Sequence, residues 1–264
     1  MEKNLGKLKE LYGEVQTLIT PSGFEVSLRM QNGNDDDILS NADGVMDGTS
    51  SNRFIAGIIV DTDITTNRKF NLDTARDLKL CDKYFIMIAS RIFSIGQILK
   101  FSYHWPDLPA PTDYEEDLGD YIWDYKDISE FPKKGEEGYL KYRIAPHPFG
   151  KESMRQANTA SGKVYRYKFM NGHGERFLMN LPSDRQSVNA ELLARGLETK
   201  MGEGFVPVQN FATFSPMDMM DIRKDVSTHD ESINLITELK HPKTGAIMEY
   251  PIIGTSDFFF PREI

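Results

Sequence analysis

The chain has 264 residues, 39% apolar and 27% charged, the balance of a soluble globular protein with room for one large domain or two of ordinary size. No apolar run approaches the roughly 20 residues needed to cross a bilayer. A lone cysteine, Cys81, excludes an internal disulfide framework and any Cys-based zinc site within one chain. The net charge of −9 argues against a general nucleic-acid binder, which needs clustered Lys and Arg to neutralise phosphates.

The amino-terminal segment carries no secretory signal pattern. Residues 1 to 17 read as an exposed helix with Leu5, Leu8, Leu11 and Tyr12 as its apolar stripe, and residues 1 to 20 as a helical arm. It packs on its own domain or docks on another subunit. After the Pro21-Ser22-Gly23 turn, Phe24, Val26, Leu28 and Met30 alternate with polar residues as a half-buried strand. Asp35, Asp36 and Asp37 then open a short helix through Leu39, where carboxylates complement the macrodipole. Phe54, Ile55, Ile58 and Ile59 predict a second buried helix, and Asp61-Thr62-Asp63 a cap and turn.

Leu78 to Pro106 is the most structured stretch. Tyr84, Phe85, Ile88, Ile92 and Ile95 recur at helical spacing, with Asp77 as N-cap and Gly96 as the stop. Ile98, Leu99, Phe101 and Tyr103 then read as a strand. Residues 106 to 138 change composition and predict a long acidic, aromatic surface insertion, with Tyr114, Tyr121, Trp123 and Tyr125 as partner-binding residues. Tyr139 to Ile144 is the expected return strand of the hairpin, and residues 146 to 160 a linker.

The second half follows the order of the first. Ser161-Gly162 and the strand behind it align without gaps on Ser22-Gly23, and Asn171-Gly172 falls on Asn32-Gly33. Ser215-Pro216 caps and starts a helix carrying Met217, Met220, Ile222 and Val226, in the same frame as the Leu78 helix. Ile233 to Leu239 and Ile247 to Ile252 form a last hairpin around Pro242 to Gly245. The expected fold is α+β, with two tandem modules at 21 to 145 and 161 to 254, each strand, helices, longer helix and β-hairpin. Duplication and chance similarity both stay open. An aromatic tail at 255 to 264 carries Phe258, Phe259 and Phe260, which cannot all face inward if extended. At least one ring is expected to leave the core and bind a partner.

No catalytic motif stands out. The histidines at 104, 147, 173, 229 and 241 form no HxxxH or HExxH pair, and no GxSxG elbow or phosphate loop is present. The reading assigns no catalytic residue, no cofactor and no metal. The acids between Asp113 and Asp120 leave a carboxylate-dependent hydrolase as an alternative.

Two segments resemble the T4-like phage baseplate hub and tail-assembly family. They are the stretch that ends in Arg91-Ile92-Phe93-Ser94-Ile95-Gly96 and its following strand, and the ending that contains Phe259-Phe260-Pro261. Members of that family carry two Cys-x-x-Cys pairs. Here those positions read His104-Trp105-Pro106-Asp107 and His241-Pro242-Lys243-Thr244, so two histidines supply only half of a zinc ligand set. The resemblance implies a structural component of a contractile tail baseplate in its hub or inner wedge region. That component is made in the host cytoplasm and binds other tail or baseplate proteins, without nucleic acid or membrane, as a monomer or an oligomer within the baseplate. A tail-assembly chaperone absent from the mature virion is the runner-up.

Overall fold

Each half of the chain contains a β-hairpin folded around the same turn. In the computed structural model, which describes residues 2–41, 44, 48–122, 144, 146–185, 187, 189–230, 235–253 and 256–260, the first hairpin pairs β1 (Val15–Ile19) with β2 (Glu25–Arg29). Its turn is held by Thr20, whose amide donates to Phe24 O at 2.8 Å and whose hydroxyl accepts from Phe24 N at 3.2 Å. Gly23 closes it by donating to Thr20 O at 2.7 Å, at φ 82°, a conformation open to glycine at little cost. The second hairpin pairs β6 (Met154–Asn158) with β7 (Val164–Lys168), and there Thr159, Lys163 and Gly162, at φ 86°, make the same three bonds.

The elements after each hairpin also run in parallel. Asn32 caps α2 (Gly33–Leu39) through a capping box with Asp35, and Asn171 caps α6 (Gly172–Met179) by accepting from His173 and Gly174 amides. After α3 (Thr49–Ile58), β3 (Ile59–Thr62) adds to β2, giving a three-stranded antiparallel sheet. The second half reaches the same pairing after α7 (Ala190–Ala194), where β8 (Glu198–Met201) adds to β7 and β9 (Gly204–Pro207) completes a four-stranded sheet. The long helices come next. They are α5 (Leu80–Ser94), preceded by the short α4 (Leu72–Asp77), and α8 (Pro216–His229). Hairpins β4 (Ile98–Tyr103) with β5 (Thr112–Asp117), and β10 (Ile236–Lys240) with β11 (Ile247–Pro251), end the two halves before α9 (Ser256–Phe259). The fold is therefore α+β. Among the described residues no helix is long and apolar enough to cross a membrane.

Two cores form, and their boundary is not the one expected from the sequence. One gathers Val26, Phe54, Ile86, Phe101 and Tyr121 of the first half, but also Leu235, Leu239, Ile252, Phe258 and Phe259 from the end of the chain. The other contains Tyr165, Tyr167, Leu192, Phe214 and Ile222. The last hairpin thus leaves its own half and completes the first core.

Several local expectations are corrected. The arm at 1 to 20 is a helix only to Tyr12 (α1, Glu2–Tyr12), because Gly13 turns at φ 77° and β-branched Val15, Thr17 and Ile19 favour the strand. Asp61 and Thr62 lie in β3, not in a turn. Asp77 ends α4, and Lys79 is the residue that precedes α5. Residues 154 to 158 of the expected linker are a sheet strand. The acidic run from Asp113 to Asp117 is the return strand of β4, and not a loop. The expected return strand at 139 to 144 lies, apart from Ile144, outside the described residues.

Candidate functional site

The two halves meet along a buried polar seam. Its centre is Lys79, one residue before α5, where the chain runs antiparallel to Asn171 and Leu80 N donates to Met170 O at 2.9 Å. The Lys79 ammonium is buried; it donates to Ser22 Oγ at 3.2 Å and to Gly150 O, and lies 5.0 Å from the Phe169 ring centroid. It is also 3.4 Å from His147 Nδ1. The turn carrying His147 is fixed on the first hairpin, since His147 N donates to Pro21 O at 2.9 Å.

His147 joins Lys79 to the end of α8. Its Nδ1 accepts from Phe149 N at 3.2 Å, and its Nε2 faces Asp230 Oδ1 at 3.4 Å. Asp230 in turn accepts from Met170 N at 2.6 Å and pairs with the fully buried Arg195 guanidinium, which also reaches Glu191 at 2.7 Å. A turn further along the seam, buried Lys83 pairs with Glu175 of α6, and the Tyr84 hydroxyl donates to the same carboxylate at 3.1 Å.

Burial sets the proton affinities here. It lowers the Lys79 ammonium, and together with the Lys79 charge it lowers His147 to about 4, so the imidazole is neutral at pH 7. Burial followed by the Glu175 charge raises the Tyr84 phenol, and burial pushes the Cys81 thiol up, which makes Cys81 a poor nucleophile. The arrangement uses its polar atoms on one another. It works as a cross-link between the halves.

Each long helix also grips its own hairpin turn by one carboxylate. Asp82 Oδ1 accepts from Ser22 N at 2.8 Å, and Asp218 Oδ1 accepts from the Ser161 hydroxyl at 2.5 Å. Their environments drive them apart. Full burial raises Asp82 despite the Ser22 bond, whereas hydrogen bonds from Ser161 and Thr159 lower Asp218.

The end of α5 and the end of the chain form a second assembly. Buried Arg91 donates to Phe258 O at 2.7 Å, to Gly96 O, and more weakly to Ile98 O at 3.4 Å. Ser94 Oγ accepts from Gln31 N at 2.8 Å, and Gly96 stops α5 at φ 128°. At the hairpin tips, His241 Nδ1 accepts from Lys243 N at 3.2 Å and Thr244 N at 3.1 Å. Its Nε2 meets Asp107 at 2.9 Å, and its ring packs against Trp105 at a centroid distance of 4.6 Å. The tips are joined by this histidine, tryptophan and aspartate.

No known protein family, curated protein or solved structure matches this chain.

Of the partner-binding aromatics expected from the sequence, Tyr121, Phe258 and Phe259 lie in the chain's own core, and Tyr114 and Phe260 pack partly buried against it. Tyr114 accepts from Trp105 Nε1 at 2.8 Å and donates to Lys240 O at 3.0 Å. Tyr121 is buried and donates to Glu116 at 2.6 Å. Trp123 and Tyr125 lie outside the described residues. Phe258 and Phe259 are buried, and Phe260 packs half-buried against the same core. The expectation that one ring leaves is corrected, because α9 is wedged among Phe54, Arg91 and β4, so rings pointing different ways all meet protein. The acids of β5 are engaged locally. Glu115 pairs with Lys100, Glu116 accepts from Tyr121 and Thr237, and Asp117 accepts from Gln97.

Sequence reasoning missed Lys79, His147, Arg195 and Asp230. One signal pointed to the histidine. His147-Pro148 and His241-Pro242 are each followed closely by a glycine, and both rings accept a backbone amide two residues on.

Proposed function

We propose that this chain is a structural component of a contractile phage tail baseplate, in its hub or inner wedge region, acting through protein–protein contacts. One observation carries the reading. The two sequence segments that resemble the baseplate family form a single physical unit, with Arg91 of the helix-end motif bonded to the backbone of the terminal Phe258-Phe259-Phe260 run. A resemblance spread over remote parts of a chain gains weight when those parts stabilise each other. Among the described residues, five exposed methionines and other exposed apolar side chains suit adaptable contact surfaces. The matched turns, caps and helix carboxylates of the halves favour a duplicated module over chance similarity. The reading assigns no catalytic residue.

Quantitative mass spectrometry of purified virions tests it, with the chain expected at a fixed ratio to the other tail proteins. Its consistent absence from virions would remove the structural role and leave a transient assembly chaperone.

A further inference from the structure

The second core is an insertion in the first. Among the described residues it is built entirely between Phe149 and Val226, while the first core leaves off at Ile144 and resumes at Leu235. The chain therefore crosses between the cores twice. Both crossings fall at one point of the seam, because His147 on the way out and Asp230 on the way back face each other at 3.4 Å. Two crossings side by side make a neck, and an inserted unit on a neck can turn through a few backbone dihedrals. The turn behind His147 supplies them: Gly150, at φ 47°, closes it by donating to His147 O at 2.9 Å. Bonds across the seam include Leu80 N to Met170 O, Lys79 to Gly150 O, and the Lys83–Glu175 and Lys151–Asp63 pairs. Such groups take up water when parted, at little net cost.

The surroundings of His147 suit only its neutral form. Its Nδ1 accepts from Phe149 N at 3.2 Å and faces the Lys79 ammonium at 3.4 Å, and its ring lies edge-on to Phe169 at 4.5 Å. A protonated ring has no acceptor at Nδ1, so it would turn a donor toward two donors, one of them a cation. Two carboxylates oppose this. Asp230 faces Nε2, but it is already paired with Arg195 and accepts from Met170 N. The Asp82 charge also favours the proton, yet full burial holds that carboxyl toward neutrality. Glu152 acts on Lys79, whose charge it supports. Burial and the Lys79 charge outweigh the carboxylates, so the latched ring stays neutral down to about pH 4.

We propose that this neck is a hinge latched by neutral His147, and that protonation of the ring releases the inserted unit from the first core while both cores stay folded. Once open, His147 meets water and returns to the ordinary imidazole range near 6.5. The open form then binds a proton that the latched form refuses, so acidification from about pH 6.5 to about pH 4 favours opening. This inference does not depend on the baseplate reading.

Hydrogen exchange of the full chain, resolved to single amides and corrected for the intrinsic effect of pH, is the test. The Leu80 amide reports the seam, because it stands at the start of α5 and donates across to Met170 O. Amides within β2 and β7 report the two cores. Leu80 is expected to be less protected than both sets of core amides at every pH, since the neck opens without unfolding. From about pH 7.5 to about pH 5 it should lose roughly 30-fold more protection, as follows from a ring that titrates near 6.5 when open and about 4 when latched. His147→Gln should abolish that loss. Lys79→Met removes the facing cation and should reduce it, and this variant serves if the first does not fold. Leu80 and core amides that share one protection at every pH would overturn the proposal. So would Leu80 protection that holds steady on acidification, or substituted chains whose loss equals that of wild type.

Discussion

Replacing Phe258 by alanine tests whether the end of the chain belongs to the first core. The ring is 0% exposed, packs edge-on against Phe259 at 4.7 Å, and sits beside the carbonyl that accepts from Arg91. Removing a buried phenylalanine costs about 3–5 kcal/mol from lost transfer energy and the cavity left behind. That is a large part of the roughly 5–15 kcal/mol that holds a typical domain together. With a urea m-value of about 3 kcal/mol/M, the unfolding midpoint should fall by roughly 1–1.7 M. Phe260→Ala, at a half-buried site, should cost less, and Leu11→Ala, at a position 66% exposed, should stay within about 0.5 kcal/mol. Urea denaturation followed by fluorescence and circular dichroism reads all three. A Phe258→Ala midpoint equal to that of wild type would refute the reasoning, and would mean that the terminal rings are held by something other than this core.

Stability should fall on acidification through His147. The unfolded imidazole takes its proton near pH 6.5 and the folded one near pH 4, so between those values the unfolded state binds protons that the native state refuses. The loss should amount to roughly 2–3 kcal/mol by pH 4 after allowance for solvent screening, and melting curves of His147→Gln should lack that slope. Asp230→Ala leaves the Arg195 guanidinium buried without its main partner, so about 3–5 kcal/mol should be lost. In a double-mutant cycle, Arg195→Met should recover much of that loss, and additive effects would show that the pair does not interact. At the hairpin tips, both ring nitrogens of His241 are engaged. Chelator should therefore leave the melting temperature unchanged while His241→Ala lowers it, and stoichiometric zinc in the purified protein would contradict this account.

The sequence determined those features that rest on contacts close in the chain. Ser215-Pro216 announces the start of α8 and Gly96 the end of α5, because caps and stops act within a few residues, while Asn32 caps α2 three residues before the Asp35 start read from the sequence. The parallel between the halves was legible for the same reason, since the Thr-x-x-Gly turns and their strands are local structures. Period-two alternation marks β5 as well, where Tyr114 and Glu116 turn inward and Asp113 and Glu115 outward. Its acidic composition hides that pattern, because a run of carboxylates has the composition of a solvated loop.

Tertiary structure decided which segments meet. Nothing local says that β10, β11 and α9 leave the second half to complete the first core, because one apolar strand face fits many partners. The same holds for the polar seam. Lys79, His147, Arg195 and Asp230 are individually ordinary residues in sequence, and the Lys79 ammonium finds its carbonyl acceptor on Gly150, 71 positions along the chain. Burial, which lowers His147 and Lys79, arises only once both halves close over them, so their chemistry belongs to the fold and not to any one stretch of chain.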